Sequence, residues 1–338
     1  MTAQRIWAVF VARNKEFIRD RSAFGWNLVF PFLIIVGFSF IFSGRSSQMY
    51  KVGVFGEQTQ AAVSARNLLQ TRYIEFIAYD SVEQAVSKVA RHQLDLFMDL
   101  ENNRYWVNST SPKGYVMERM LAVGSSVDMS RQQVDGKEIR YVDWLLPGVL
   151  GMNIMFSCLF GVGYVIVRYR KNGVLKRLSA TPLSAFEFLS AQVLSRFFLS
   201  LSVTAVVYAG CTYAIGFEMA GQYRDLFVVC AVGVLSLISL GVLVSTRTAS
   251  EEFAGGLLNI ISWPMMFLSG VWFSLEGSPE WVRSMAQALP LTHLNDAARA
   301  IMNEGKTLSD VMPHLLVMTG MTALFLAVGS LMFRWDQE

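Results

Sequence analysis

The chain is 338 residues long, 53% hydrophobic and only 16% charged, with a mean hydropathy of +0.38. A soluble domain carries roughly 25% charged residues, so this composition excludes an ordinary soluble protein and points to the membrane class. The net charge of +3 says little by itself, its distribution says more, and no nucleic acid is expected as a partner.

Residues 1–22 contain QRIWAVFVARNKEFIRDR, with Ile6, Trp7, Phe10, Phe17 and Ile18 at roughly helical spacing among basic residues. Such a segment predicts an interfacial helix, Trp and Phe toward the acyl chains and Arg and Lys toward anionic lipid. Crossing the hydrocarbon core takes about 20 mostly apolar residues. The first such window lies within 23–43, and no small-residue cleavage site follows it, so it is read as a retained span rather than a signal peptide.

Residues 44–143 change character. YKVGVF and YIEFIAY read as strands, and LDLFMDL with RYWVNS reads as a hairpin across Glu101–Asn103. QTQAAVSARNLLQ and SVEQAVSKVARH are helical in spacing, the second opening on a Ser81–Gln84 capping box. A further helix is expected over Lys113–Gln133. The whole predicts a small α/β domain outside the membrane.

Residues 144–338 hold five more spans: Trp144–Val167, Phe197–Phe217, Leu226–Thr246, Phe253–Phe273 and Pro313–Phe333. The expected fold is therefore a predominantly α-helical polytopic membrane protein, six transmembrane helices with an inserted α/β extracytoplasmic domain. Arg5, Arg13, Lys15, Arg19 and Arg21 precede span one, and Arg168, Arg170, Lys171, Lys176, Arg177 and Arg196 lie between spans two and three. Arg247 and Arg334 follow spans four and six. The positive-inside tendency makes these segments cytoplasmic and puts both termini inside.

Chemistry-bearing constellations are scarce. His92, His293 and His314 are dispersed and match no zinc spacing, so no metal is expected. Cys158, Cys211 and Cys230 fall inside spans and imply no disulfide framework. NEGKT at 303–307 ends like a phosphate-binding loop, but Ala300 stands where the first glycine belongs and the preceding residues read as helix rather than strand. No catalytic residue, and no cofactor in this chain, is expected. The spans carry charge only at their ends, which disfavours ion coupling.

The segment 168–196, beginning RYRKNGVLKRLSATPLSAFEFL, is sharply patterned. Pro182 suits a first helical turn with Thr181 as cap, and Leu183, Phe186 and Leu189 beside Glu187 form a short amphipathic face fit for a groove on a partner.

This stretch resembles the cytoplasmic coupling segment of ABC-2 type transporter permeases, with a Gly-x-Leu-x-Arg-Leu run at Gly173, Leu175, Arg177 and Leu178 leading to Thr181, Pro182, Leu183 and Ser184. Lys176 stands where that family often has an acid. A second likeness lies in LSGVWFSLEGSPEWVRSMAQALPLTHLNDAARAI: Leu268–Val271 with Ser269 and Gly270, Pro279–Trp281, and Leu289–Arg299 with Pro290 and Asp296. The outer domain, through YDSVEQAVSKV, is similar to one inserted after span one in a subgroup of these permeases.

The resemblance implies a bacterial inner-membrane exporter subunit with no ATPase site of its own. Two copies of an ATP-binding subunit, carrying ATP and Mg, would dock on Gly173, Leu175, Arg177, Thr181, Pro182, Leu183, Phe186 and Glu187. A second permease chain, identical or homologous, would complete the path, with membrane lipids around it and room for a periplasmic partner. Segment 274–312 would dip back into the membrane. Met152, Asn153, Asn259, Ser262, Trp263 and Met266 would line the path of a hydrophobic or amphipathic cargo; the plainer alternative is that such polar residues bond to neighbouring helices. Pro264 would mark a bend. The rival reading is a membrane-anchored sensor or binding protein whose outer domain takes a ligand.

Overall fold

The computed structural model describes residues 2–42, 50–56, 74–124, 129–136, 140–246, 250–275 and 278–332. The chain divides into two compact units, one of residues 1–41 with 142–338 and one of residues 42–141.

The smaller unit is built on a five-stranded sheet among the described residues, in the order β2-β1-β3-β4-β5. Its strands are β1 Tyr50–Phe55, β2 Ile74–Ala78, β3 Leu96–Asp99, β4 Arg104–Asn108 and β5 Ser130–Val134, with helices α3 Val82–Ala90 and α4 Pro112–Gly124. β1 runs parallel to β2 and β3, β3 and β4 form the antiparallel hairpin foreseen across residues 101–103, and β5 is parallel to β4. Side chains alternate across a strand, and β3 shows what that does here. Leu96 and Met98 join Val52 and α4's Met117 and Leu121 in one core, whereas Phe97 joins Ala85 and Val89 of α3 in the other. Both sheet faces are thus covered. The foreseen helix QTQAAVSARNLLQ lies outside the described residues.

Two local expectations fail in this unit. Ser81 caps α3 by backbone geometry without a side-chain hydrogen bond, so the foreseen capping box is not formed. The helix expected over Lys113–Gln133 stops at Gly124, and residues 130–134 are instead strand β5, paired with β4 from Arg104↔Ser130 to Asn108↔Val134.

The larger unit is helical. Its elements are α1 Thr2–Arg19, α2 Arg21–Phe42, α5 Tyr141–Cys158, a π-helical turn at Leu159–Tyr164, α6 Val165–Lys171, α7 Val174–Ser179, α8 Ala185–Ile215, α9 Tyr223–Ser245, α10 Glu251–Leu268, α11 Glu280–Gln287, α12 Pro290–Met302 and α13 Met312–Met332. Among the described residues four helices are long and apolar enough to cross a membrane: 141–171, 185–215, 223–245 and 312–329. A fifth is reached if α1 and α2, bent by 61°, are one broken span. Helix α10 covers the foreseen span 253–273 only to Leu268, and runs through Pro264 without a break.

Burial ranks these helices. The 141–171 helix has 78% of its apolar window buried inside the chain, against 17% for α13, so the first is the hub of the bundle and the second its rim. Glycine pairs bring the hub close to α9. A side chain at Gly163 would meet the Gly241 carbonyl at 2.9 Å, the close backbone approach by which small residues pack membrane helices.

The expectation that α1 rests in the headgroup layer with Phe outward is divided by the structure. Trp7 and Ile18 are exposed, but Phe17 and Arg13 are buried, and Phe10 packs edge-on against Phe198 of α8. One face of α1 is therefore spent on protein. The spans were also expected to be free of interior charge, yet Arg196 lies well inside the 31-residue α8 and is 6% exposed.

Candidate functional site

Residues 168–196, foreseen as a coupling segment, open as an elbow. Gly173, at φ 65, turns the chain out of α6 in the left-handed region that glycine tolerates. The short α7 follows, then a turn at 180–182, and α8 starts at Ala185. Its cap is Ser184 rather than Thr181: the Glu187 amide donates to Ser184 Oγ at 3.2 Å and the Ser184 amide donates to Glu187 Oε2 at 2.8 Å, a reciprocal capping box. Pro182 therefore lies before the helix, and the foreseen separate coupling helix is the opening of a transmembrane one. Thr181 instead turns its hydroxyl back along the chain, donating to the Leu178 carbonyl at 2.6 Å.

The foreseen contact residues separate into two sets. Arg177, Thr181, Pro182 and Phe186 are exposed, Phe186 at 74%. Leu175 and Glu187 are buried, and Gly173 and Leu183 are intermediate. The buried set holds the exposed one in place. Arg5 of α1 reaches across to donate to the Pro182 carbonyl at 2.5 Å and stands 3.8 Å from the Glu187 carboxylate.

A second cluster joins the turn after α10 to α12. Pro290 is in the first turn of α12, where its missing amide hydrogen costs nothing. Thr292, Asn295 and Arg299 then fall on one helical face at spacings of three and four. Thr292 Oγ1 donates to Ser269 Oγ at 2.9 Å, the Asn295 amide donates to the Ser269 carbonyl at 2.9 Å, and Arg299 donates to the Gly270 carbonyl. Arg299 also donates to the Trp144 carbonyl at 3.3 Å, its guanidinium 4.0 Å from the centre of the Trp144 ring. Gly270 has φ 63. This clasp brings together Ser269, Gly270, Pro290 and Arg299. Asp296 and Trp281 are exposed and stand outside it, Trp281 at 66%. Asn295 was missed and Thr292 entered only as part of the Leu289–Arg299 likeness, although their i, i+3, i+7 register with Arg299 was readable.

The foreseen path residues do not share one surface. Met152, Asn153, Ser262 and Met266 are buried within the chain, whereas Asn259 and Trp263 lie on the outward face of α10 with Phe253, Ile260 and Phe267. Asn259 donates to the Gly255 carbonyl at 2.9 Å and Ser262 to Leu258 at 2.6 Å, so both spend a hydrogen bond on their own helix.

The phosphate-loop look-alike has a local explanation. Gly305, at φ 67, follows α12, its amide donating to the Ile301 carbonyl at 3.2 Å while the Lys306 amide donates to Ala300 at 3.0 Å. That is helix termination, and Lys306 pairs with Glu304 at 2.9 Å.

Residues 21–331 match the model of the family described as ABC-2 family transporter protein. The chain is similar to the "Probable multidrug ABC transporter permease YbhS" of Escherichia coli strain K12, 20% identical over 98% of this chain and 94% of that protein. It is also similar to the "Inner membrane transport permease YhhJ" of the same strain, 24% identical over 54% of this chain and 49% of that one. The "Linearmycin resistance permease protein LnrN" of Bacillus subtilis strain 168 is 24% identical over 53% of this chain and 47% of its own.

Proposed function

This chain belongs to the ABC-2 transporter family, and from that premise we propose that it is the permease subunit of an exporter whose energy comes from a separate ATP-binding subunit pressing on the elbow of residues 173–187. The observation that carries this reading is the elbow's two-sided construction: Arg177, Thr181, Pro182 and Phe186 outward, with Leu175, Glu187 and Arg5 fixing them from behind. A resting surface helix needs no such bracing.

In this reading α2, the 141–171 helix, α8, α9, α10 and α13 are six spans, α1 lies along the inner surface, and both termini are in the cytoplasm of a bacterium. Segment 274–312, with α11 and α12, is the re-entrant element, and the 42–141 unit is outside. ATP and Mg sit on the partner, present in two copies. A second permease chain closes the path, and the outward residues Asn259 and Trp263 face it. The names of the relatives, a probable multidrug permease and a linearmycin resistance permease, support a hydrophobic or amphipathic cargo. Nucleotide drives export only by binding the two states of the assembly unequally.

The test is purification of the tagged permease from its native membranes with an ATPase assay on what accompanies it. An ATP-binding protein is expected to co-purify, and Arg177→Glu and Pro182→Ala are expected to lower its ATPase rate by about ten-fold without loss of membrane insertion, the cost of one strong contact. A permease that purifies alone would overturn the reading in favour of a ligand-sensing outer unit.

A further inference from the structure

The π-helical turn at Leu159–Tyr164 interrupts the hub helix in mid-course. A π turn leaves backbone carbonyls out of the ordinary ladder and in most helices survives only where something else uses them. Here two guanidiniums do. Arg196 of α8 donates through Nε to the Ser157 carbonyl at 2.6 Å, one residue before the end of α5, and Arg13 of α1 donates through Nη2 to the Gly161 carbonyl inside the π turn at 2.9 Å. Both arginines are buried, at 6% and 8% exposure, in a helix bundle where an interior cation is costly and marks a functional position.

The surroundings tie the pair to the elbow. Arg13 also donates to Glu16 at 2.8 Å and to the Tyr169 hydroxyl at 3.2 Å, and Arg168 donates to Glu16 at 3.0 Å. Helix α1 thus holds the hub helix both within the π turn and just beyond it. The same α1 carries Arg5, which is bonded to the Pro182 carbonyl of the elbow, and α8 begins there with Ser184. Gly161 is required at the contact, because a Cβ there would overlap the Arg196 guanidinium.

We propose that the π turn is the joint through which the elbow moves the hub helix, with Arg13 and Arg196 as positioning residues that transmit displacement of α1 and α8 to the carbonyls of Gly161 and Ser157. This rests on the coupling role proposed for residues 173–187. Neither arginine need touch cargo or nucleotide. A π turn and an α turn differ by one residue of register, so release of these carbonyls lets the segment from 159 to 171 rotate relative to residues 141–158. Two independent grips on carbonyls four residues apart, one before the π turn and one within it, make that rotation follow α1 and α8 together.

The experiment uses the permease co-purified with its ATP-binding partner in lipid nanodiscs, with amide exchange read over residues 157–167 in the presence and absence of ATP. In the wild type, ATP is expected to change exchange in this segment. Arg196→Met and Arg13→Met are expected to abolish that change and lower the ATPase rate about ten-fold or more, the loss that removal of a single charge-assisted hydrogen bond predicts, Arg13 giving up its bonds to Glu16, Tyr169 and Gly161 together, while the subunit ratio stays as in the wild type. Arg196→Lys, which keeps the charge and one donor, is expected to recover part of both. Gly161→Ala, which displaces Arg196 by a methyl group alone, gives the same phenotype and stands in if the arginine variants do not assemble. An ATP-dependent change that persists in all of these variants, or that is absent from the wild type, overturns the joint. If Arg177→Glu and Pro182→Ala uncouple ATPase while the π-turn variants do not, the joint fails and the coupling reading stands. If neither set has any effect, the coupling reading itself fails.

Discussion

Asp95 sits at the foot of β3, 6% exposed, and its carboxylate accepts the Lys51 amide at 2.8 Å. Burial pushes its pKa above the ordinary 3.8, against the opposing pull of that amide and of Lys113, His92 and Lys51. A raised folded pKa means that the folded state keeps its proton to higher pH than the unfolded chain does. Stability therefore falls as pH rises from 3.8 through the raised value, and stays lower above it. Asp95→Asn keeps an acceptor for the Lys51 amide and removes the charge, so the variant is expected to have the higher urea midpoint at pH 7 and a flatter dependence between pH 4 and pH 7. A fluorotryptophan at position 106, packed on Phe97 at 5.3 Å, reports the unfolding of this unit within the full chain. A variant less stable than the wild type at pH 7 would show that the carboxylate is worth more as a charge than it costs in burial. Tyr105 moves upward by the same burial and by its bond to Glu118, to about 12, and does not titrate in that range.

Single elements show what the sequence made legible and why the rest escaped it. Strands β1 to β4 were readable because enrichment in β-branched and aromatic residues is a local property, whereas the sorting of Leu96, Phe97 and Met98 onto two faces of a strand buried throughout is seen only in the structure. β5 was not. SRQQV has no apolar alternation, four of its five residues are exposed, and it becomes a strand only because β4 offers a paired edge. Caps divide the same way: Ser81 and Gln84 match the capping-box pattern and do not form it, while Ser184 and Glu187 match it and do. Arg196 was lost because a hydropathy window ends at a charge, although the helix continues through it with the guanidinium turned onto the Ser157 carbonyl and the Phe17 ring. Of the π turn the sequence carried no sign beyond Gly161 and Gly163. The elbow yields a prediction at this scale. Ser184→Ala removes one half of the capping box and should loosen the first turn of α8 by about 1 kcal/mol. Amide exchange at Glu187 and Phe188 is expected to quicken about five-fold, the equivalent of that energy, and ATPase coupling to weaken, while Ser184→Thr keeps both. Unchanged exchange at Glu187 would mean that Arg5 and Pro182 alone fix the elbow.

At the scale of the whole chain, the division into residues 42–141 and the remainder is a division between two patterns of apolar burial. Two of the larger unit's long apolar helices, α13 and α8, keep most of their apolar residues on the outside, as their low internal burial shows, and such surface suits lipid rather than water. The smaller unit has the opposite pattern, with two cores on the two faces of one sheet: Val52, Leu96, Met98, Leu100, Met117 and Leu121 on one, Ala85, Val89, Leu94 and Phe97 on the other. Each core closes within the unit itself, and a domain of roughly 100 residues is large enough to fold alone. Residues 42–141 produced without the spans are therefore expected to be monomeric and to unfold in one cooperative step in urea, with a slope of about 1 kcal/mol/M or more. The exposed Tyr115, Met120 and Val123 of α4 are the residues most able to defeat this, because they leave an apolar stripe on an otherwise polar surface. Aggregation relieved by Val123→Lys would locate the fault in that stripe and leave the two cores sufficient. Loss of the strand signature even in that variant would show instead that the sheet depends on the larger unit, and residues 42–141 would then be a part of the chain that cannot be separated from its long helices.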